Sequence, residues 1–169
     1  MRLDDYVRNI PDFPRPGVVF KDITPLLKDP NALQYTYRAI ANQYKEDEID
    51  LILGAEGRGF LFGVGVALLM NKGFIPIRKP GKLPYATYKQ PYSPLGPDGL
   101  EIHQDAIRLG QRVLLIDDLL ATGETARTAI ELVKKCGGII VGCAFVIELS
   151  LQNGRERLSP YPVFSLLRY

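Results

Sequence analysis

The sequence predicts an α/β protein with a mostly parallel central sheet flanked by helices. Three observations carry this expectation. Short apolar runs of strand length alternate with longer segments of helical periodicity. Three of the predicted strands end in glycine-rich or charged stretches, where ligands bind in open parallel sheets. The length of 169 residues, with 46% apolar and 24% charged residues, fits one soluble domain spanning 1–169.

The elements follow in order. Residues 9–30 hold Pro11, Pro14, Pro16, Pro25 and Pro30, which forbid a long helix and predict an irregular, partly extended cover. Within it Gly17-Val18-Val19-Phe20 reads as a short strand. Asp29-Pro30 is an N-cap followed by a helix-opening proline, and Leu33, Tyr37, Ile40, Ala41 and Tyr44 share one face of a helix over 30–45. Leu51-Ile52-Leu53 is a strand, residues 54–59 a glycine-rich turn, and residues 60–70 a helix apolar on nearly all sides, as a buried helix would be. Residues 74–77 form the next strand. Residues 80–99, with Pro80, Pro84, Pro91, Pro94 and Pro97, read as one long loop, a length that usually marks a functional lid or disorder. Val113-Leu114-Leu115-Ile116 is the clearest strand. A helix follows over about 123–136, with Ala126, Ala129, Ile130 and Val133 inward and Gly137-Gly138 as its stop. Residues 139–147 and 163–166 complete the strands.

Several function classes drop out. Twenty-one Lys and Arg against 19 Asp and Glu leave a net charge of +2, which gives no electrostatic footprint for nucleic acid. No apolar run approaches the roughly 20 residues of a membrane span, and Met1-Arg2-Leu3-Asp4-Asp5 does not open a signal peptide. Cys136 and Cys143 match neither a CxxC pair nor a zinc knuckle, and His103 is the single histidine. The expected compartment is the reduced cytoplasm, with no membrane and no protein-held metal.

The chemistry gathers at three strand ends. In the first, Asp117-Asp118-Leu119-Leu120-Ala121-Thr122-Gly123-Glu124-Thr125, small and hydroxyl residues open a helix whose N–H groups and dipole favour a phosphate. The two carboxylates would repel that phosphate, whereas a vicinal diol suits them as acceptors. A ribose 5-phosphate satisfies both halves; an acidic strand end before an ordinary helix accounts for the aspartates alone. In the second, Gly54-Ala55-Glu56-Gly57-Arg58-Gly59, glycines allow close approach to an anion and Arg58 supplies a bidentate donor. A plain strand-to-helix turn explains the glycines but leaves Arg58 without a role. In the third, Arg78-Lys79-Pro80-Gly81-Lys82, three cations suit a polyanion such as pyrophosphate, although taken by themselves they fit a solvated basic turn better.

Residues 113–125 resemble the phosphoribosyl-diphosphate motif of type I phosphoribosyltransferases. Residues 12–23, Arg58-Gly59-Phe60-Leu61-Phe62-Gly63, residues 78–84 and residues 117–123 resemble that family's adenine-using branch, in the right order and over nearly the whole chain. The resemblance implies a type I phosphoribosyltransferase-like fold with an N-terminal hood over 1–30 and a mobile lid over 80–99. It implies synthesis of AMP and pyrophosphate from adenine and phosphoribosyl diphosphate, with Mg²⁺ carried mainly by the diphosphate, in a homodimer. By position, Ala121, Thr122, Gly123, Glu124 and Thr125 would hold the 5′-phosphate and Asp117 and Asp118 the ribose hydroxyls. Arg58, Lys79 and Lys82 would contact pyrophosphate, with Arg78 reaching across the dimer interface. Val19, Phe20, Leu149 and the Arg58 backbone would line the adenine pocket, and Tyr92 would meet ligand from the lid.

Two positions depart from the family pattern. Glu124 replaces a glycine, and its side chain is expected to point to solvent. In the lid, Pro91 stands where the family carries a glutamate that handles a base proton, unless the gap is placed so that the position is deleted. Asp98 or water is the expected substitute, and Glu101 is expected to be structural. A nucleotide-binding or regulatory paralogue with weak catalysis is the alternative reading.

Overall fold

The computed structural model describes residues 1–94 and 96–169; position 95, inside the expected lid, lies outside the described residues. A five-stranded parallel sheet forms the centre. Its strands are β3 (Leu51–Ala55), β4 (Gly73–Ile77), β7 (Arg112–Leu120), β8 (Ile139–Glu148) and β9 (Val163–Arg168), in the order β4-β3-β7-β8-β9. The chain reverses its direction of travel across the sheet between β3 and β7, so the carboxyl ends of both strands border one crevice.

The period-2 alternation of the central strands sorts the core into two layers. On one face Leu53, Val113 and Leu115 pack with α4 (Glu124–Lys135) through Ala126, Ala129, Ile130 and Val133. On the other, Ile52, Leu114 and Ile116 pack against α2 (Pro30–Ala41) and α3 (Arg58–Leu69) through Ile40, Phe62 and Val66. Each Val, Leu, Ile or Phe side chain in these rows contributes about 1.5–3 kcal/mol by leaving water.

The caps are where the residue chemistry puts them. Asp29 accepts from the N–H groups of Asn31 and Ala32 at 3.0 and 2.8 Å, with Pro30 in the first turn. Gly137 ends the α4 segment at φ +81°. That left-handed conformation is one glycine adopts without strain.

Five expectations change. The helix from Pro30 ends at Ala41 rather than 45, its deepest line being Ala32, Thr36 and Ile40. The early strand lies later, with β2 (Phe20–Asp22) pairing antiparallel with β1 (Arg8–Ile10), because Gly17 at φ +83° bends the chain before it. The glycine-rich turn after β3 is shorter than read: Gly54 and Ala55 stay in the strand and α3 already begins at Arg58. The long loop over 80–99 contains a strand. β5 (Thr87–Pro91) pairs antiparallel with β6 (Gly99–His103). Pro91 is tolerated because it is the last residue of its strand, and Gly99 lets the two backbones close up, since a Cβ there would overlap the Gln90 carbonyl oxygen.

The helix expected to be buried all round is only half covered. Phe62, Val66 and Ala67 are buried, but Leu61, Val64, Leu68 and Leu69 are exposed, Leu68 by 78%. Periodicity cannot distinguish an intramolecular cover from an external one. Among the described residues no helix is long and apolar enough to cross a membrane.

Candidate active site

The acid pair lies within β7. Strand β7 runs on past Ile116 to Leu120, so Asp117 and Asp118 are held by the sheet rather than by a turn. Asp117 Oδ1 accepts the backbone N–H of Asp118 at 2.8 Å, and Asp118 Oδ2 lies 2.7 Å from Arg58 Nε. Arg58 opens α3, and its guanidinium lies 5.4 Å from the centre of the Phe20 ring. Strand β2, the start of α3 and the end of β7 therefore meet at one point. Gly59 makes this approach sterically feasible: a Cβ there would come within 2.7 Å of Asp117 Oδ1.

Burial, and then the neighbouring charge of Asp118, push the Asp117 carboxyl well above the usual carboxylate range. Burial also raises Asp118, against the pull of Arg58. The sign of the stability effect follows. A carboxyl raised in the folded state contributes fully below its unfolded value of about 3.9 and loses that contribution as pH rises towards the folded value. Asp117→Asn keeps the acceptor for the Asp118 N–H and removes the buried charge. We expect the variant to melt higher at neutral pH, by about 2–4 °C for each kcal/mol recovered. The gap should close as pH falls to about 4, which thermal melts over a pH series check.

Beyond the acids the chain turns at Gly123, with φ +79°, into α4. Among the described residues no side chain caps this helix, which leaves its first-turn N–H groups open. A cavity of about 250 Å³ opens there, lined by Arg58, Asp117, Asp118 and residues 119–126. Ala121, Thr122, Gly123 and Thr125 are thus grouped beside the acids. Glu124 also lies on this rim, with its side chain exposed. Tyr92 arrives from the ribbon, where its hydroxyl meets the Thr125 side chain; burial raises its pKa.

The basic strand end is organised by two glutamates that the sequence reading left without a binding role. Glu56 lies 3.1 Å from Arg78 Nη2 and accepts the Lys79 N–H at 2.7 Å. Arg78, expected to reach a neighbouring subunit, is turned to this residue of its own chain. Glu101, 1% exposed, accepts the N–H groups of Lys82 and Leu83, each at 2.9 Å, so its structural role holds. Lys79 lines a second cavity, of about 320 Å³, with Pro80, Tyr92, Asp98 and Gly99. Lys82 is exposed and lines neither space. Leu149 follows the end of β8, its N–H bonded to the Leu120 carbonyl at 2.8 Å, while Val19 is exposed and Phe20 half-buried in the hood.

Residues 23–167 match the family model described as the phosphoribosyl transferase domain. The chain belongs to the phosphoribosyl transferase family. An adenine phosphoribosyltransferase of Koribacter versatilis is 57% identical over 168 residues, covering 99% of this chain and 92% of that protein. The crystal structure of the adenine phosphoribosyltransferase from Thermoanaerobacter pseudethanolicus superposes with a TM-score of 0.93 at 45% identity, covering 99% of this chain and 98% of that one. The Saccharomyces cerevisiae enzyme, complexed with D-2,5-dideoxy-2,5-imino-altritol 1,6-bisphosphate and adenine, superposes with a TM-score of 0.91 at 38% identity, covering 97% and 96%. Arg58, the two aspartates and the open start of α4 line one cavity of this phosphoribosyl transferase family member.

Proposed function

We propose that this protein transfers the phosphoribosyl group of phosphoribosyl diphosphate to adenine, giving AMP and pyrophosphate in purine salvage. The observation that carries this reading is the single 250 Å³ space shared by an acid pair and an uncapped helix start. The helix N–H groups and Thr122 and Thr125 take the 5′-phosphate, while Asp117 and Asp118 accept from the ribose hydroxyls. Adenine N9 bonds to the anomeric carbon, the bond from that carbon to the diphosphate oxygen breaks with its electron pair, and the N9 proton leaves. Lys79 stabilises the departing pyrophosphate beside Asp98 and Tyr92. Phe20, the Arg58 backbone, Val19 and Leu149 border the base. Chromatography of a reaction with adenine, phosphoribosyl diphosphate and Mg²⁺ should give AMP and pyrophosphate in equal amounts; adenine left unconsumed would overturn the reading.

The donor set suits a Mg²⁺ that arrives with its substrate. Among the described residues no three His, Cys, Asp or Glu side chains gather into a cage, and Asp118 is engaged by Arg58. Bound to the diphosphate, the ion supplies charge neutralisation for the leaving group. The two unpaired cysteines suit a reducing cytoplasm.

A second copy of the chain is the cover that the exposed stripe of α3 calls for. Leu61, Val64 and Leu68 follow one another at helical spacing, and such a stripe is costly to leave in water. Light scattering should give twice the mass of one chain, and Leu68→Glu should shift it towards one. A wild-type monomer at full activity would contradict the dimer.

A further inference from the structure

The turn that carries the phosphate-side loop is backed by a second layer that does not line the cavity. Gly154 opens the short helix α5 (Gly154–Arg157). A Cβ on Gly154 would overlap the Ala121 carbonyl oxygen and lie 2.9 Å from Gly123 N and 3.0 Å from Leu120 Cδ1. From the other side, a Cβ on Gly123 would lie 2.7 Å from the Gly154 carbonyl oxygen. Two bare backbones therefore press directly on each other, and the nearest obstacles are main-chain atoms that cannot swing aside.

The next residue anchors this contact. Arg155 Nε lies 3.0 Å from Glu148 Oε1, its Nη2 bonds the other carboxylate oxygen, and its Nη1 donates to the Val163 carbonyl. Glu148 is 6% exposed and ends β8 directly opposite Leu120 in the sheet register. Arg168 Nε adds a contact at 3.3 Å to the same carboxylate. The carboxylate that holds Arg155 thus sits one strand over from the residue that leads into Ala121. Bidentate pairing of a buried carboxylate fixes geometry as well as charge.

We propose that the Glu148–Arg155 pair clamps Gly154 against the Ala121–Gly123 loop, and that these three positioning residues set the affinity for the sugar 5′-phosphate without touching it. The inference rests on the phosphate-site reading above. A cradle of backbone N–H groups works only if they are aimed in advance, and a misplacement of about 1 Å can cost about 100-fold.

The experiment titrates ribose 5-phosphate into the wild type, Gly154→Ala and Arg155→Lys, alongside steady-state kinetics. Gly154→Ala should weaken binding by about 10–100-fold. Arg155→Lys keeps the charge but loses the fork, and should weaken it by about 10-fold. In both, KM for phosphoribosyl diphosphate should rise while KM for adenine stays within about twofold, a split that general loosening of the fold would not produce. If Gly154→Ala does not fold, the conservative Arg155→Lys decides. Wild type and folded variants binding ribose 5-phosphate equally would overturn the clamp and leave the phosphate site standing. A wild type that binds none would overturn both.

Discussion

Asp118→Asn should lower kcat/KM for phosphoribosyl diphosphate by about 30–1,000-fold, the equivalent of about 2–4 kcal/mol of lost transition-state binding. The variant loses a charged acceptor for a ribose hydroxyl and the anionic partner that holds Arg58 at 2.7 Å. It does not open a cavity, because Asn has nearly the same volume. Burial already raises the Asp118 carboxyl, so a neutral side chain there is not disfavoured by the fold. Arg58 remains partly in water, its side chain 38% exposed, so it is not stranded as a buried charge. Kinetics and melting curves on the same preparation check this. Unchanged kinetics with a lowered melting temperature would make the pair structural.

The second large effect concerns the ribbon of β5 and β6. A positioned base is typically worth about 10²–10⁴-fold, and Pro91 neither accepts nor donates a proton. Pro91 lies opposite Gly99 at the turn end of the ribbon, and the Tyr92 N–H donates to the Asp98 carbonyl at 2.9 Å just beyond. That pairing turns Asp98 into the lining of the cavity that Lys79 and Tyr92 share. Glu101 is the other nearby carboxylate, but it is buried and occupied by the N–H groups of Lys82 and Leu83. Asp98→Ala should therefore slow the single-turnover step by about 10–100-fold, with Pro91→Glu raising it. No loss in the first together with no gain in the second would mean that the proton leaves by another group or that its transfer does not limit the rate.

The sequence made the sheet legible because its central strands combine strand length with unbroken apolar character, as in residues 113–116. The main site was legible for a local reason: Asp117 through Thr125 supply both the acid pair and the open helix start within one stretch. What escaped was set by partners outside the local stretch. Glu56 gains its role only when Arg78 and Lys79 come beside it, and Glu148 only when Arg155 and Arg168 do. A charged residue directly after an apolar strand, as in Ile147-Glu148, is the signal that could have drawn attention to the second case. The ribbon escaped because a run of prolines predicts coil, although Pro91 occupies a strand end where a missing N–H is harmless. The outer face of α3 escaped because apolar residues on every side of a helix do not say what covers them.

The most direct test of the account compares initial rates with adenine, hypoxanthine and guanine at fixed phosphoribosyl diphosphate and Mg²⁺. Adenine differs from the other two in presenting an amine donor and a bare ring acceptor where they present a carbonyl and an N–H. A site built for one pattern leaves its polar groups unpaired against the other, a mismatch worth about 100-fold or more. The account predicts AMP formation with kcat/KM for adenine about 100-fold or more above either alternative. Equal rates with all three bases, or no nucleotide from adenine, would contradict it.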